Sequence, residues 1–237
     1  MIYVIGWTQN PNPKFGLPID VERTFTEVFN EKKPMYSPIP RPWWRYSHRP
    51  PGEKPTGDRR LPANLLMVCK GLRYFNPDFY CDHAREWTVS ARFLEFLQKR
   101  GLLTDNYEQS KLTVISTTQK PLAKQEYYLL RLFSSSNDLV DFDKTSKLIS
   151  PVKPFTEFDS PFTYNIKLVF KPEVQVPALF YLYDESYFYS FFCNEEIKAA
   201  MEEEQFLGFD FYTLEEYAQM RIDWERRFES PAPDFPA

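Results

Sequence analysis

The stretch Ala178 to Tyr212, ALFYLYDESYFYSFFCNEEIKAAMEEEQFLGFDFY, leaves the chain little choice of fold. Leu179 to Tyr183 and Tyr187 to Phe192 are aromatic, β-prone runs around the polar break Asp184-Glu185-Ser186, which predicts a hairpin. Asn194 then offers a side-chain oxygen to the free N–H groups of a helix start, with Glu195 and Glu196 at the positive end of its dipole. Ile197, Ala200 and Met201 fall at i, i+3 and i+4 and make one apolar stripe. Gly208 suits the left-handed helix stop, and Phe209 and Phe211 alternate with Asp210 and Tyr212 as a returning strand.

An earlier unit has the same order. In WTVSARFLEFLQKRGLL, Ser90 is a cap, Phe93, Leu94 and Leu97 form the stripe, Lys99 and Arg100 suit the last turn, and Gly101 is the stop. Lys111 to Ser116 reads as its returning strand, so the two units form a weak strand–helix–strand duplication. Further strands are expected at 1–8, 127–133 and 164–170, and a strand or short helix at 19–30 and at 61–68. Thr213 caps a last helix whose stripe is Leu214, Tyr217, Met220 or Arg221, and Trp224; the tail from Ser230 is expected to fray. The fold class is α+β, with mixed, largely antiparallel sheets, two capped helices and a C-terminal helix. The expected division is 1–62, an N-terminal strand and Pro-rich basic arm, and 63–237, a core of two similar halves at about 63–120 and 121–237.

Composition matters at three points. With 7 Gly and 21 Pro, connections should be stiff, and a glycine-built nucleotide cradle is not expected. Residues 34–62 hold eight prolines and read as a long extended arm. Within it Trp43, Trp44 and Arg45 either form a contact patch or fold back onto the core; the sequence leaves both open. Charge is uneven: residues 1–100 carry 16 Lys/Arg against 10 Asp/Glu, and residues 195–237 carry 4 against 12. Such an acidic end repels nucleic acid and attracts a basic protein, or is a solvated helix face.

The chemistry-bearing residues are sparse. Cys69, Cys81 and Cys193 are an odd number, which favours reduced thiols and a cytoplasmic protein. Cys81 and His83 lack zinc-site spacing and a fourth ligand. Cys193 stands at a helix N-terminus, where a thiolate is favoured, yet only His48 and His83 could serve as its base. Asp138, Asp141 and Asp143 lack the glycine and distal glutamate of a calcium loop. No run reaches membrane-span length. No catalytic residue, metal or cofactor is expected.

Two passages resemble the immunity proteins of bacterial polymorphic toxin systems, nearest to immunity families forty-three and eleven. The first has Val89 and Ser90 at a helix start, Tyr127 to Leu130 as a "YYLL" strand, and Val140, Asp141, Asp143, Lys144 and Ser146. The second is the capped helix after Asn194, followed by Gly208 and Phe211; Cys193-Asn194 stands where that family usually has a Ser cap. The arm at 34–62 lies outside the resemblance. It implies a non-catalytic protein that binds a cognate toxin effector domain, with no membrane partner. The candidate contact residues are Glu195, Glu196, Glu202, Glu203, Glu204, Glu215 and Glu216 on the acidic surface, and Trp43, Trp44 and Arg45 on the arm. The alternative is an adaptor that binds a protein or nucleic acid through that arm.

Overall fold

Twice in this chain a strand passes into a helix with no connecting residue, and the last strand residue is the helix cap. The Ser90 Oγ accepts from the Phe93 N–H at 3.2 Å, and the Asn194 Oδ1 accepts from the Ile197 N–H at 2.9 Å. Each cap contributes about 1 kcal/mol relative to alanine. The computed structural model describes residues 1–7, 22–35, 41–47, 52–83, 86–151, 162–184, 186–187 and 190–229. Val21, His48 and the tail from Ser230 lie outside the described residues.

The elements in order are β1 (Ile2–Trp7), β2 (Arg23–Thr26), α1 (Pro42–Ser47), β3 (Asn64–Cys69), β4 (Phe79–His83), β5 (Glu86–Ser90) and α2 (Ala91–Lys99). There follow β6 (Tyr107–Ser116), β7 (Tyr127–Leu132), β8 (Ser146–Ile149), β9 (Thr163–Lys167), β10 (Leu179–Tyr181), β11 (Phe191–Asn194), α3 (Glu195–Glu203), β12 (Phe209–Tyr212) and α4 (Leu214–Glu229). Short 3-10 turns lie at Gly57–Arg59 and Asn137–Leu139. One sheet has the order β10-β11-β1-β12, a second β2-β3-β6-β7-β5-β4, and β8 pairs with β9. Among the described residues only β3 and β6 pair in parallel.

The duplication extends to register. β5 and β6 flank the antiparallel β7, as β11 and β12 flank the antiparallel β1. Val89 pairs with Tyr128, and Cys193, also one residue before its cap, pairs with Tyr3. Trp87 and Phe191 each stand three residues before their cap, and their rings stack on one another at 4.3 Å and 27°. Phe79, Phe93, Phe209, Ile197 and Met201 gather round that contact in one cluster fed by both units.

The four-stranded sheet is buried on both faces. Ile5, Phe191 and Cys193 face the shared cluster with α2 and α3, while Val4, Phe180 and Phe192 face a second cluster with Tyr217 and Met220 of α4. Neighbouring residues are therefore both apolar, and ALFYLY shows no alternation. The six-stranded sheet turns Trp87, Val89 and Leu130 to the shared cluster and Leu65, Met67, Val114 and Leu129 to the other side, where Trp43 and Leu61 of the arm cover them. Strands β1 and β2 are thus hydrogen-bonded into the two larger sheets, and β7 joins β5 to β6 across the region near residue 120.

Several expectations need correction. The hairpin returns at Phe191, not Tyr187. Tyr187 closes a turn by donating its N–H to the Asp184 carbonyl at 2.8 Å, and its ring stacks on Tyr217 as core filling. The arm is not extended throughout. Pro42 occupies the first position of α1, and the Arg45 N–H reaches the Arg41 carbonyl at 3.0 Å. The open choice at 19–30 and 61–68 resolves to strands β2 and β3, and β4 is a strand the sequence reading does not anticipate.

The two units are locked where α3 ends. Asp78, 1% exposed, accepts from the Ser90 Oγ at 2.6 Å, from the Arg92 guanidinium and from the Leu207 N–H at 2.9 Å. Arg92 also donates to the Glu204 and Gln205 carbonyls at 3.2 Å, which satisfies the end of α3. Gly208 follows at φ +104, and a Cβ there would meet the Phe79 carbonyl at 2.5 Å and the Pro77 Cβ at 2.6 Å. Gly208→Ala is therefore expected to lose about 2–4 kcal/mol in urea unfolding, from backbone strain plus a clash with backbone. Gly101→Ala, at φ +63 in open space, should lose only about 1 kcal/mol.

Candidate functional site

The helix α3 turns Ile197, Ala200 and Met201 inward and leaves Glu195, Glu196, Glu202, Glu203 and Glu204 exposed. Three of the seven candidate carboxylates have work inside the chain. Glu195 accepts from the Tyr3 hydroxyl at 2.7 Å, which raises the tyrosine's pKa. Glu202 pairs with Lys198 at 2.8 Å, and the ammonium also stands 5.2 Å from the Tyr3 ring centre. Glu216 accepts from the Thr213 N–H at 2.7 Å while its own N–H reaches the Thr213 Oγ1 at 3.2 Å, a reciprocal cap that starts α4. Glu203 and Glu204 close the last turn of α3, which has no basic residue of its own, and Arg92 of α2 meets that end at the Glu204 and Gln205 carbonyls.

The seven do not form one continuous face. α3 packs on one side of the four-stranded sheet and α4 on the other. Because β11 and β12 run parallel on either side of β1, both helices begin at the same end of that sheet. Glu195, Glu196, Glu215 and Glu216 stand at that end, and Glu202 to Glu204 lie roughly 10 Å further along α3.

The arm is held from beneath by a group that the sequence reading passes over. Arg131 is fully buried in the middle of YYLLRLF. In register across three strands it faces Glu86 of β5 on one side and Glu108 of β6 on the other. Its Nε donates to the Glu108 Oε1 at 2.8 Å, its Nη2 to the same oxygen, and its Nη1 lies 3.7 Å from the Glu86 Oε1. Two further N–H groups go to the arm: Nη1 donates to the Trp43 carbonyl and Nη2 to the Arg59 carbonyl, each at 2.7 Å. The Tyr46 ring covers the guanidinium at 4.9 Å. Burying three charges costs several kcal/mol, which the mutual attraction offsets only while every partner is present. The available signal was a lone arginine inside an apolar strand, since such a charge requires partners.

The arm's three candidates separate accordingly. Trp43 is 5% exposed, packs with Phe25, Leu61 and Leu65, and donates its indole N–H to the Glu27 Oε1 at 3.2 Å. Trp44 is half-buried and stands edge-on to Trp43 at 6.0 Å. Arg45 is exposed and, with Pro42, Tyr46, Asp58 and Arg59, lines an open pocket of about 250 Å³.

The groups singled out for chemistry are placed as follows. Cys69 and Cys193 are buried, and burial pushes the Cys193 thiol up to about 12, which overrides the pull of the helix N-terminus. Asp141 is held below the usual carboxylate range by its hydrogen bond from Lys144, at 2.8 Å. Among the described residues no three His, Cys, Asp or Glu side chains gather in a way that could hold a metal. Glu225 of α4 accepts from the Ser150 Oγ at 2.7 Å and from the Tyr164 hydroxyl, which fastens β8 and β9 to that helix. No helix among the described residues is long and apolar enough to cross a membrane.

A family model described as Immunity protein 43 matches residues 9–224, well over half of the chain. The match runs through the arm at 34–62, which the resemblance had left out. No curated protein matches the chain.

Arg131→Met removes the cation and leaves Glu86 and Glu108 buried without it. The expected loss is about 3–5 kcal/mol in urea unfolding. Tryptic cleavage after Arg59 or Arg60, followed by mass spectrometry, should be at least ~10-fold faster, because the Arg59 carbonyl has lost its donor. Unchanged cleavage in a destabilised variant would show that Arg131 does not hold the arm. For the cysteines, iodoacetamide at pH 8 is expected to leave Cys193 unlabelled until the protein is unfolded. Its raised pKa keeps the thiol protonated there, and burial blocks the reagent.

Proposed function

Because the chain belongs to the Immunity protein 43 family, we propose that it is a non-catalytic, cytoplasmic protein that binds a cognate bacterial toxin and neutralises it by occluding the toxin's active site. The family match is the observation that carries this reading. The contact surface is the outer face of α3. Its inner stripe is fixed by Ile197, Ala200 and Met201, so the glutamates are held outward on a rigid support. Glu202, Glu203 and Glu204 are exposed together at the C-terminal end of the helix, a placement that suits a basic partner surface. A toxin cleft that handles an anionic substrate presents such a surface. Carboxylates at its rim speed association and compete with that substrate. The adaptor reading through the arm is the weaker one, because Trp43 is buried in the core and its indole N–H is taken by Glu27.

The test is a triple exchange, Glu202→Lys, Glu203→Lys and Glu204→Lys, assayed for binding to the cognate toxin at two salt concentrations. Binding should weaken at least ~10-fold at low salt, chiefly through the association rate, with a smaller effect at high salt. Thermal stability should stay nearly unchanged, since the three side chains are exposed. Parental affinity at low salt would remove α3 from the interface. Failure of the parent protein to protect cells that express the toxin would remove the immunity reading itself.

A further inference from the structure

The pocket on the arm stands apart from α3, on the side of the six-stranded sheet that faces away from both capped helices. One wall is α1, which carries Arg45 and Tyr46, and the other is the Gly57–Arg59 turn, which carries Asp58 and Arg59. We propose that this pocket is a docking site for an aspartate or glutamate side chain of a partner protein. Both arginine side chains are exposed, and neither has an ion-pair partner among the described residues. Asp58 supplies one negative charge, so the lining keeps a net positive charge.

The second support is the way the walls are fixed. Arg131 grips the Trp43 carbonyl in α1 and the Arg59 carbonyl in the facing turn, so one buried guanidinium sets the spacing of both walls. The Tyr46 hydroxyl further ties α1 to the Glu53 carbonyl. Below the pocket, the Glu108 Oε1 is taken up by the Nε and Nη2 of Arg131. Two guanidinium groups carried on walls whose backbones are tied together, beside the Tyr46 ring, match the planar carboxylate and the residue types favoured at protein interfaces. The proposal rests on reading the chain as a protein-binding module. Its test uses no toxin, so its failure leaves the immunity reading standing.

The experiment titrates the full chain with sodium acetate and, separately, with a capped Ala-Glu-Ala peptide, against sodium chloride at equal ionic strength. Side-chain Nε–Hε resonances of Arg45 and Arg59 are followed by NMR. Both carboxylates should give saturable shifts at those two arginines, with the peptide binding more tightly than acetate. The Arg45→Ala, Arg59→Ala double variant should weaken binding by roughly 10- to 100-fold, the range for losing charge-assisted hydrogen bonds. The Arg45→Lys, Arg59→Lys variant, which keeps charge but not the forks, should fall between. Shifts that match chloride, or a double alanine variant that binds like the parent with an unchanged melting temperature, would overturn the site. Acetate binding as tightly as the peptide would overturn the assignment to a protein side chain.

Discussion

The contact of Trp87 with Phe191 is the point on which the two halves of the structure depend. Each ring stands three residues before a helix cap, on the strand that feeds its helix, so the stacked pair sits at the same place in both units. Phe79 and Tyr181 close round it at 5.7 and 5.2 Å. Such aromatic pairs each add about 0.5–1.5 kcal/mol beyond their buried area. With only 7 glycines and 22 phenylalanines, the chain fills its centre with large rings rather than closely approaching backbones. An exception is Gly208, where α3 hands over to β12 against the Phe79 carbonyl.

A polar device does for the arm what the aromatic centre does for the sheets. The arm offers Trp43 and Leu61 to the outer face of the six-stranded sheet, which is a small apolar contribution for a segment of eight prolines. Arg131 adds direction. Its planar fork satisfies backbone carbonyls from two separate segments while two glutamates in register balance its charge. An apolar side chain at that position could fill the space but could not fix the spacing of α1 and the following turn. Asp78 plays a matching part at the other junction, where one carboxylate gathers Ser90, Arg92 and Leu207. In both places a buried charge joins pieces that are distant in sequence.

The exposed charges follow the same division. Carboxylates collect on α3 and at the start of α4, and guanidinium groups collect on the arm. Several of the carboxylates also have internal roles, as cap or ion-pair partner, so the acidity of residues 195–237 is partly structural. Glu203 and Glu204 are exposed at the end of α3, where Arg92 donates to the Glu204 and Gln205 carbonyls.

Local chemistry was legible in the sequence. Ser90 and Asn194 as caps, Gly101 and Gly208 as stops, the inward stripe of α3 and the repeated strand–helix–strand order depend on neighbours a few residues apart, and the side chains alone state them. The α+β class followed from that order. The ends of strands were less legible, because the four-stranded sheet is buried on both faces and its aromatic runs carry no period; Tyr187 therefore read as strand but closes a turn. Tertiary structure alone decided that β1 inserts between β11 and β12, that β7 inserts between β5 and β6, and that the arm folds back as a short helix. It alone placed Glu86, Arg131 and Glu108 side by side, and divided the acidic residues between two faces of one sheet. Those outcomes depend on pairings between residues far apart in sequence, and a one-dimensional pattern does not encode which strand will be the neighbour.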